Sequence, residues 1–520
     1  MKAKSLAHFF APRSEVSEQE VDKGIRLIAW DGVCTMSMGA LAGGVFLVAF
    51  ALSLGASNFH IGLLAAIPFL AQVFQIPAIY LVEKVRNRKA ICLGFSATSR
   101  AFWILIALIP FLFWGTGGLT VLIISLFLFA ALGAVSGCSW NSWMRDLLPQ
   151  NILGSVFSRR LMLATGIALV ITLLGGFFID YWGNHYQGQE IYGYSILFLA
   201  AIIFGLIGEE IFIRIAEPQM EDNKGKPLSP LKLLTTPLKD KNFRALLIFL
   251  SFWSFAISLA APFFTVYMLV RLEFSLSMVV MLSVLSQVVN ILTVRIWGRL
   301  SDRFSNKSIL LVSGPLFLIC IVAFTFTTMP EKHFLTLPIV IAIHIFSGIS
   351  LAGVTLGASN IALKLSPKGQ ATSYLAANGV ITSLAAGVAA LIGGSIALFF
   401  ATRELSLLFQ WAEPAREISM YAINLKGLDF LFIIAFLIGL YSLYRLARVK
   451  EEGEVTERIV AYELAAEVAQ QMKNLSTVGG LRQLTSFPLY IARHSLRSLP
   501  PPRRRKKRRR AETPDIDQVS

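Results

Sequence analysis

Asp31, Arg100 and His344 are ionisable side chains set inside long apolar stretches, and the amides Gln72, Gln75, Asn141, Gln287, Asn290, Asn360 and Asn378 stand in similar settings. Trp140 and Trp143 flank Asn141. Arg100 carries a permanent charge, so it needs a carboxylate, a polar cavity or an anion beside it, unless it snorkels to a surface. Asp31 can hold a proton, pair with Arg100, or cap a helix starting beside it. His344 titrates near neutrality and is a candidate proton carrier, with a packed structural role as the competing reading. The amides either line a path for a polar solute or join helices by hydrogen bonds. The two indoles offer a stacking face to a ring, or they anchor a helix at a membrane surface. None of this assembles a catalytic set. The 6 His form no pair at metal-ligand spacing, and no Gly-rich phosphate loop ends in Lys-Ser or Lys-Thr. An enzyme, a metal centre and a nucleotide-driven pump are therefore disfavoured, and no cofactor is expected.

The elements that must position these residues follow from composition. Of 520 residues, 55% are hydrophobic and 15% charged, with mean hydropathy +0.65. A water-soluble chain of this size could not hide so much apolar surface, so the composition asks for lipid. A helix crossing the hydrocarbon core needs about 20 apolar residues, and about twelve such runs follow one another. They cover 31–54, 60–82, 90–114, 119–143, 160–182, 195–215, 245–270, 275–297, 308–328, 335–358, 374–401 and 427–446. Cys34, Cys92, Cys138 and Cys320 all lie in these runs and read as packing residues, with no disulfide implied. Residues Met1 to Ala29 lack the layout of a cleaved signal peptide.

Charge in the connectors alternates. Lys84, Arg86, Arg88 and Lys89 follow the second run, Arg145, Arg159 and Arg160 the fourth, and Lys224, Lys226, Lys232, Lys239, Lys241 and Arg244 the sixth. Arg299, Arg303 and Lys307 follow the eighth, and Lys364 and Lys368 the tenth. Gly55 to Phe59, Gly115 to Gly118 and Gly183 to Tyr194 carry no Lys or Arg; Thr402 to Lys426 is the exception. The bias of basic residues toward the cytoplasm places both termini there, in a plasma (cell inner) membrane. By the same reading Glu209, Glu210 and Arg295 belong to the cytoplasmic rim. The Pro-rich stretch 216–242 divides the runs six and six. The expected organisation is an N-terminal segment 1–26, bundles 27–215 and 243–447 joined by that linker, and a tail 448–520.

The halves look like copies. Glu83, Pro149, Gly175-Gly176 and Ser57 recur in the second half as Asp302, Pro367, Gly393-Gly394 and Ser275, each about 218 residues later. The stretch Gly298-Arg299-Leu300-Ser301-Asp302-Arg303-Phe304-Ser305-Asn306-Lys307 matches the pattern G-x-L-x-D-R-x-x-x-K. With the repeat, this resembles the major facilitator superfamily of secondary transporters, over roughly residues 25 to 447. In the first half Glu83 stands for the Asp, Ile79 for the Gly, and only Arg86 and its neighbours keep the basic character. The resemblance implies an all-α integral membrane protein of twelve transmembrane helices in two parallel six-helix repeats. It further implies that Asp302 and Arg303 help close a cytoplasmic gate, with Gly298 allowing close packing, Lys307 shaping the loop, and Glu83 and Arg86 as the weaker copy. Gly175-Gly176, Gly393-Gly394, Gly166 and Gly387 are expected at close helix contacts.

The expected activity is gradient-driven movement of a small organic solute by alternating access, with a coupling proton as a candidate second partner. The alternative is a non-transporting sensor or scaffold acting through its tail. That tail opens with helical periodicity from Glu451 to Asn474 and closes with eight basic residues, Arg503 to Arg510. Anionic lipid is the favoured partner of that run, a merely solvated tail comes second, and nucleic acid comes last.

Overall fold

A computed structural model of the chain describes residues 12–113, 116–149, 152–220, 230–329, 331–367, 371–413, 416–451 and 459–466. Lys224, Lys226, Lys368 and the basic run Arg503 to Arg510 lie outside them. Twelve helical spans are long and apolar enough to cross a membrane. Spans 1 to 6 are Glu18–Ser53, Asn58–Val85, Arg88–Leu112, Gly117–Leu147, Leu153–His185 and Glu190–Ile213. Spans 7 to 12 are Lys241–Arg271, Leu276–Arg303, Asn306–Thr328, Thr336–Lys364, Ser373–Phe400 and Leu428–Leu446. Residues up to Val460 form one compact unit; in the second unit, 461–466 are described and helical.

Span 1 begins earlier than its apolar run. Ser17 accepts from the Glu20 N–H while the Glu20 carboxylate accepts from the Ser17 N–H, a reciprocal cap that starts the helix at Glu18. Asp31 is therefore well inside the helix, so it caps nothing. The same span breaks at Gly43–Gly44, where Gly44 adopts φ +53, a conformation that costs a side-chain-bearing residue dearly. In span 2, Pro68 cannot donate a backbone hydrogen bond, and the helix tightens into a 3-10 turn at Ala71–Phe74.

The connector Thr402 to Lys426 is not an unstructured loop. Glu404–Glu413 and Arg416–Lys426 pair antiparallel, Glu404 opposite Lys426, with an irregularity between Leu407 and Leu408. The all-helical expectation thus needs one hairpin added between spans 11 and 12. Leu405, Leu407, Leu408, Phe409, Tyr421 and Ile423 of this hairpin are all exposed.

Span 2 packs on span 11 and span 5 on span 8, which joins the two halves. A Cβ on Gly62 would lie 2.4 Å from the Ala390 carbonyl oxygen and 2.7 Å from the Gly394 Cα, so these backbones touch because both residues lack one. Asn58 Nδ2 donates to the Ala397 carbonyl at 3.2 Å. On the other flank Gly176 faces Val280, and the Ser277 N–H donates to Asp180 at 3.1 Å. All four contacts sit at the end of the spans remote from Glu18 and Leu446. Gly393 and Gly175 are also close-packed, as expected, and so is Gly387, where a Cβ would lie 2.7 Å from Leu70 Cδ2 near the middle of spans 2 and 11, but a Cβ on Gly166 or Gly298 would meet nothing within 4 Å. Gly298 neither breaks its helix, which continues to Arg303, nor packs closely here.

At the opposite end the halves repeat one device. The Glu217 carboxylate accepts from the N–H groups of Arg88 (2.7 Å) and Lys89 (3.0 Å) at the start of span 3. Glu451 accepts from the Lys307 backbone N–H (2.7 Å) and from the Asn306 side-chain Nδ2 (2.8 Å) at the start of span 9. Each acid follows the last helix of its half and satisfies a helix N-terminus that would otherwise be buried with open donors. Burial pushes the Glu217 carboxyl up, opposed by those N–H groups and by the Arg88 guanidinium. Arg88 is itself fully buried and also pairs with Asp146.

Glu217→Ala strips acceptors from two buried N–H groups and from part of Arg88. We expect a loss of about 3 kcal/mol, read as a lower melting temperature in detergent. Glu210→Ala, at an exposed pair with Arg214, should change it little. Equal losses in both variants would show the buried carboxylate to be idle.

Candidate functional site

Arg100 occupies the middle of span 3, about 18 Å along the helix from Arg88. Span 6 admits it through two glycines. A Cβ on Gly205 would lie 3.3 Å from Arg100 Cδ, and one on Gly208 would lie 3.5 Å from Arg100 Nη1. The guanidinium donates to the Gly205 carbonyl, pairs with Glu209 Oε1 at 3.1 Å, and reaches Thr35 Oγ1 at 3.5 Å. Thr35 donates to Asp31 Oδ1 at 3.4 Å. Asp31 Oδ2 pairs with Arg160 Nη2 at 3.3 Å, and Arg160 Nε donates to the Ile28 carbonyl at 3.2 Å. The Arg160 guanidinium lies 4.9 Å from the Trp140 ring centroid, in cation–π range. Gly32 makes room for it, since a Cβ there would be 2.6 Å from Arg160 Cγ. Ser96 donates to Glu209. Two ion pairs are thus linked through one threonine across spans 1, 3, 5 and 6.

This chain of charges forms part of the wall of a cavity of about 700 Å3. Asp31, Gln72, Gln75, Arg100, Trp140 and Asn141 all line it, so six of the expected residues come together. Gln75 donates to Gln72, whose own amide donates to the Pro68 carbonyl at 3.3 Å. The remaining wall is apolar, from Met38, Leu64, Trp103 and Phe129, and includes the break at Gly43–Gly44. Every lining residue lies between Asp31 and Phe212, so the first half alone builds the cavity.

The expected residues of the second half are elsewhere. Gln287 is exposed and Asn290 half-buried on span 8. His344 is buried, its Nδ1 lies 2.8 Å from the Val340 carbonyl, and its ring meets the edge of Phe324. The half-buried Asn378 has a buried Oδ1 with no hydrogen-bond partner. Asn360 donates to Ser301 Oγ at 3.4 Å, joining span 10 to the end of span 8. Among the loop residues, Glu83, Asp302 and Arg303 are exposed, with Arg303 over the Phe304 ring at 5.1 Å. Arg86 caps span 2 with φ 55. Lys307 is buried, and its ammonium donates to the Val449 carbonyl at 2.7 Å, which ties the loop to the end of span 12.

Three readings are corrected. Glu209 is not at a rim but in the network as Arg100's ion partner, and Asp31 pairs with Arg160 instead. Arg160 is part of the site although its neighbours suggested a connector. Trp143 is fully buried, donates to the Ala216 carbonyl at 2.9 Å and packs on Phe212, so it is no surface anchor. The missed residues did carry a signal: Glu209 follows Gly205 and Gly208 within an apolar run, the spacing that opens a helix face to a large neighbour.

Twelve spans in two joined six-helix halves, with a charged cavity in one of them, make this a multi-pass membrane transport protein. A sequence profile of the Major Facilitator Superfamily matches residues 32–391, and the chain belongs to that family. No curated protein sequence matches it. Among solved structures, a point mutant of the nucleoside transporter NupG is 10% identical, with TM-score 0.60 over 83% of this chain and 100% of its own. The D-xylose-proton symporter is 13% identical, TM-score 0.60, over 84% and 99%. A POT family transporter in complex with 5-aminolevulinic acid is 14% identical, TM-score 0.58, over 85% and 99%. At such identities the likeness is one of fold.

Breaking one buried pair strands a charge, whereas removing both partners does not. Arg100→Ala and Glu209→Ala should each lower the melting temperature, by an amount corresponding to about 3 kcal/mol, and the double variant should be more stable than the sum predicts. Additive losses would mean the two groups do not interact.

Proposed function

We propose that the chain is a gradient-driven secondary transporter that moves a small organic solute by alternating access, with the first-half cavity as the solute site. The observation that carries this is the pair of linked ion pairs at bilayer depth on the wall of that cavity. Charges there are expensive and are retained where a solute or a proton uses them. The contacts between the halves support alternation, because those described above run from one end of the spans to their middle, at Leu70 and Gly387. With both termini in the cytoplasm, as the basic connectors favour, the joined end is external. Bundles 27–215 and 243–447 then rock about the cavity, with 216–242 as their linker. Asp302 and Arg303, with Glu83 and Arg86 opposite, are the polar groups that meet when the cytoplasmic ends close. Lys307 holds the loop to span 12, and Gly298 has space around it now because its packing belongs to the closed form.

The coupling ion we favour is a proton, the ion named for one structural neighbour, the D-xylose-proton symporter. Asp31 and Glu209 are the groups able to carry it. The membrane is the plasma (cell inner) membrane, and the basic run Arg503 to Arg510 would meet its anionic lipids.

In sealed vesicles, uptake of the transported solute from a panel of sugars, nucleosides, amino acids and organic acids should follow an imposed pH gradient and stop with a protonophore. Uptake of none of them, or uptake indifferent to the gradient, would defeat this reading. Gly298→Leu gives a sharper check. Leucine adds about 1 kcal/mol of helix propensity over glycine and its Cβ meets nothing within 4 Å, so melting should be unchanged or higher while uptake falls at least severalfold. Uptake at the normal rate would remove Gly298 from the gate.

A further inference from the structure

The four charges in the cavity wall are not equivalent, and their inequality selects the solute. A guanidinium keeps its charge at every physiological pH, whereas a carboxylate can take a proton. Arg100, Arg160, Asp31 and Glu209 therefore sum to zero with both acids ionised, and to a positive charge once either acid is protonated. No protonation state of the set is negative. A cationic solute would have to displace a guanidinium that cannot be switched off. An anionic solute needs only a carboxylate to be neutralised, and the released guanidinium then has a buried charge in want of a partner.

The two arginines differ in the setting of their ion partners. Arg160 is held by the Trp140 face, the Ile28 carbonyl and Asp31. Arg100 is held by the Gly205 carbonyl through Nη1 and by the Thr35 hydroxyl through Nη2, and what sets it apart is that its ion partner Glu209 shares its Oε1 with the Ser96 hydroxyl. A proton on Glu209 leaves that side chain a hydrogen-bonded neutral acid beside Ser96 and frees one edge of Arg100 toward the cavity. The groups near Glu209 from the elements packed on span 6 are Asp31 and Cys34 of span 1 and Cys92, Ser96 and Arg100 of span 3, with Arg160 of span 5 reaching the set through Asp31.

Resting on the reading of this cavity as the solute site, we propose that it takes a small organic anion, bound to Arg100 together with one proton on Glu209. The proton comes from solvent and no bond of the solute changes. Anion and proton bind and leave as a neutral pair, so the cavity is never left with an uncompensated charge in hydrocarbon surroundings.

The test is a thermal-shift titration of the purified full chain in mildly acidic and mildly alkaline buffer. The probes are lactate, pyruvate and benzoate as monovalent anions, choline and tetraethylammonium as cations, and glucose as a neutral solute. A ligand that binds only the folded state raises the melting temperature. The expected result is a shift with at least one anion, stronger in acid, its apparent Kd weakening about tenfold per pH unit on the alkaline side. Glu209→Gln, which imitates the protonated acid, should keep that shift and lose its pH dependence. Arg100→Gln should lose the shift.

A shift with choline or tetraethylammonium, an anion shift insensitive to pH, no shift with any anion, or pH dependence surviving in Glu209→Gln would each overturn the proposal. The wild-type comparison of anion with cation decides even if Arg100→Gln does not fold. A shift with glucose alone, alongside gradient-driven uptake, would overturn the anion and leave the transporter reading standing.

Discussion

A charge in hydrocarbon must be paired, and much of the first half is arranged to meet that demand. Arg100 and Arg160 enter the bundle from spans 3 and 5, where lipid cannot solvate them. Glu209 and Asp31 meet them from spans 6 and 1, and Thr35 links the two pairs. Small residues at Gly32 and Gly205 are the packing consequence, because a Cβ there would crowd the Arg160 and Arg100 side chains, while Gly208 lets span 6 approach Cys34 of span 1. A cavity results because side chains committed to pairing across four helices cannot also fill the space between them.

The same economy appears at the ends of the bundles. Glu217 and Glu451 occupy corresponding places in the two halves, each turning back to satisfy the buried start of the third helix of its half. These clasps make each half rigid at the end where the halves are not joined by the contacts described. Halves that touch through bare glycine backbone at one end and through no further described contact than Leu70 on Gly387 at mid-span form a pair that can rock. The asymmetry lies in the interior: the linked ion pairs belong to the first half, while buried His344 of the second bonds to its own helix.

Much of this was legible in the sequence. The twelve spans follow from apolar runs, and the offset of about 218 residues between halves corresponds to a real equivalence, since Arg88-Lys89 and Asn306-Lys307 are clasped alike. Arg100 stood out because no other charged residue lies near it in the chain. Glu209 did not, because Glu210 and Arg214 follow closely and an exposed i,i+4 pair explained it locally. Asp31 was placed at a helix start because the first thirteen residues of span 1 are mixed in polarity; the capping pair Ser17 and Glu20 is the true start. The hairpin was missed because its mixed charges looked like a connector. The partners of a buried charge depend on helix rotation, which apolar periodicity sets only loosely when lipid also wets the helices.

Where the solute sits can be decided by a density map of the protein in lipid nanodiscs, prepared with a solute that it takes up. Density inside the first half, between Arg100 and Trp140, is the expected result. Density between the halves beside Gln287, Asn290 and Asn378, with the first-half cavity holding none, would contradict it and reduce the ion pairs to a structural brace.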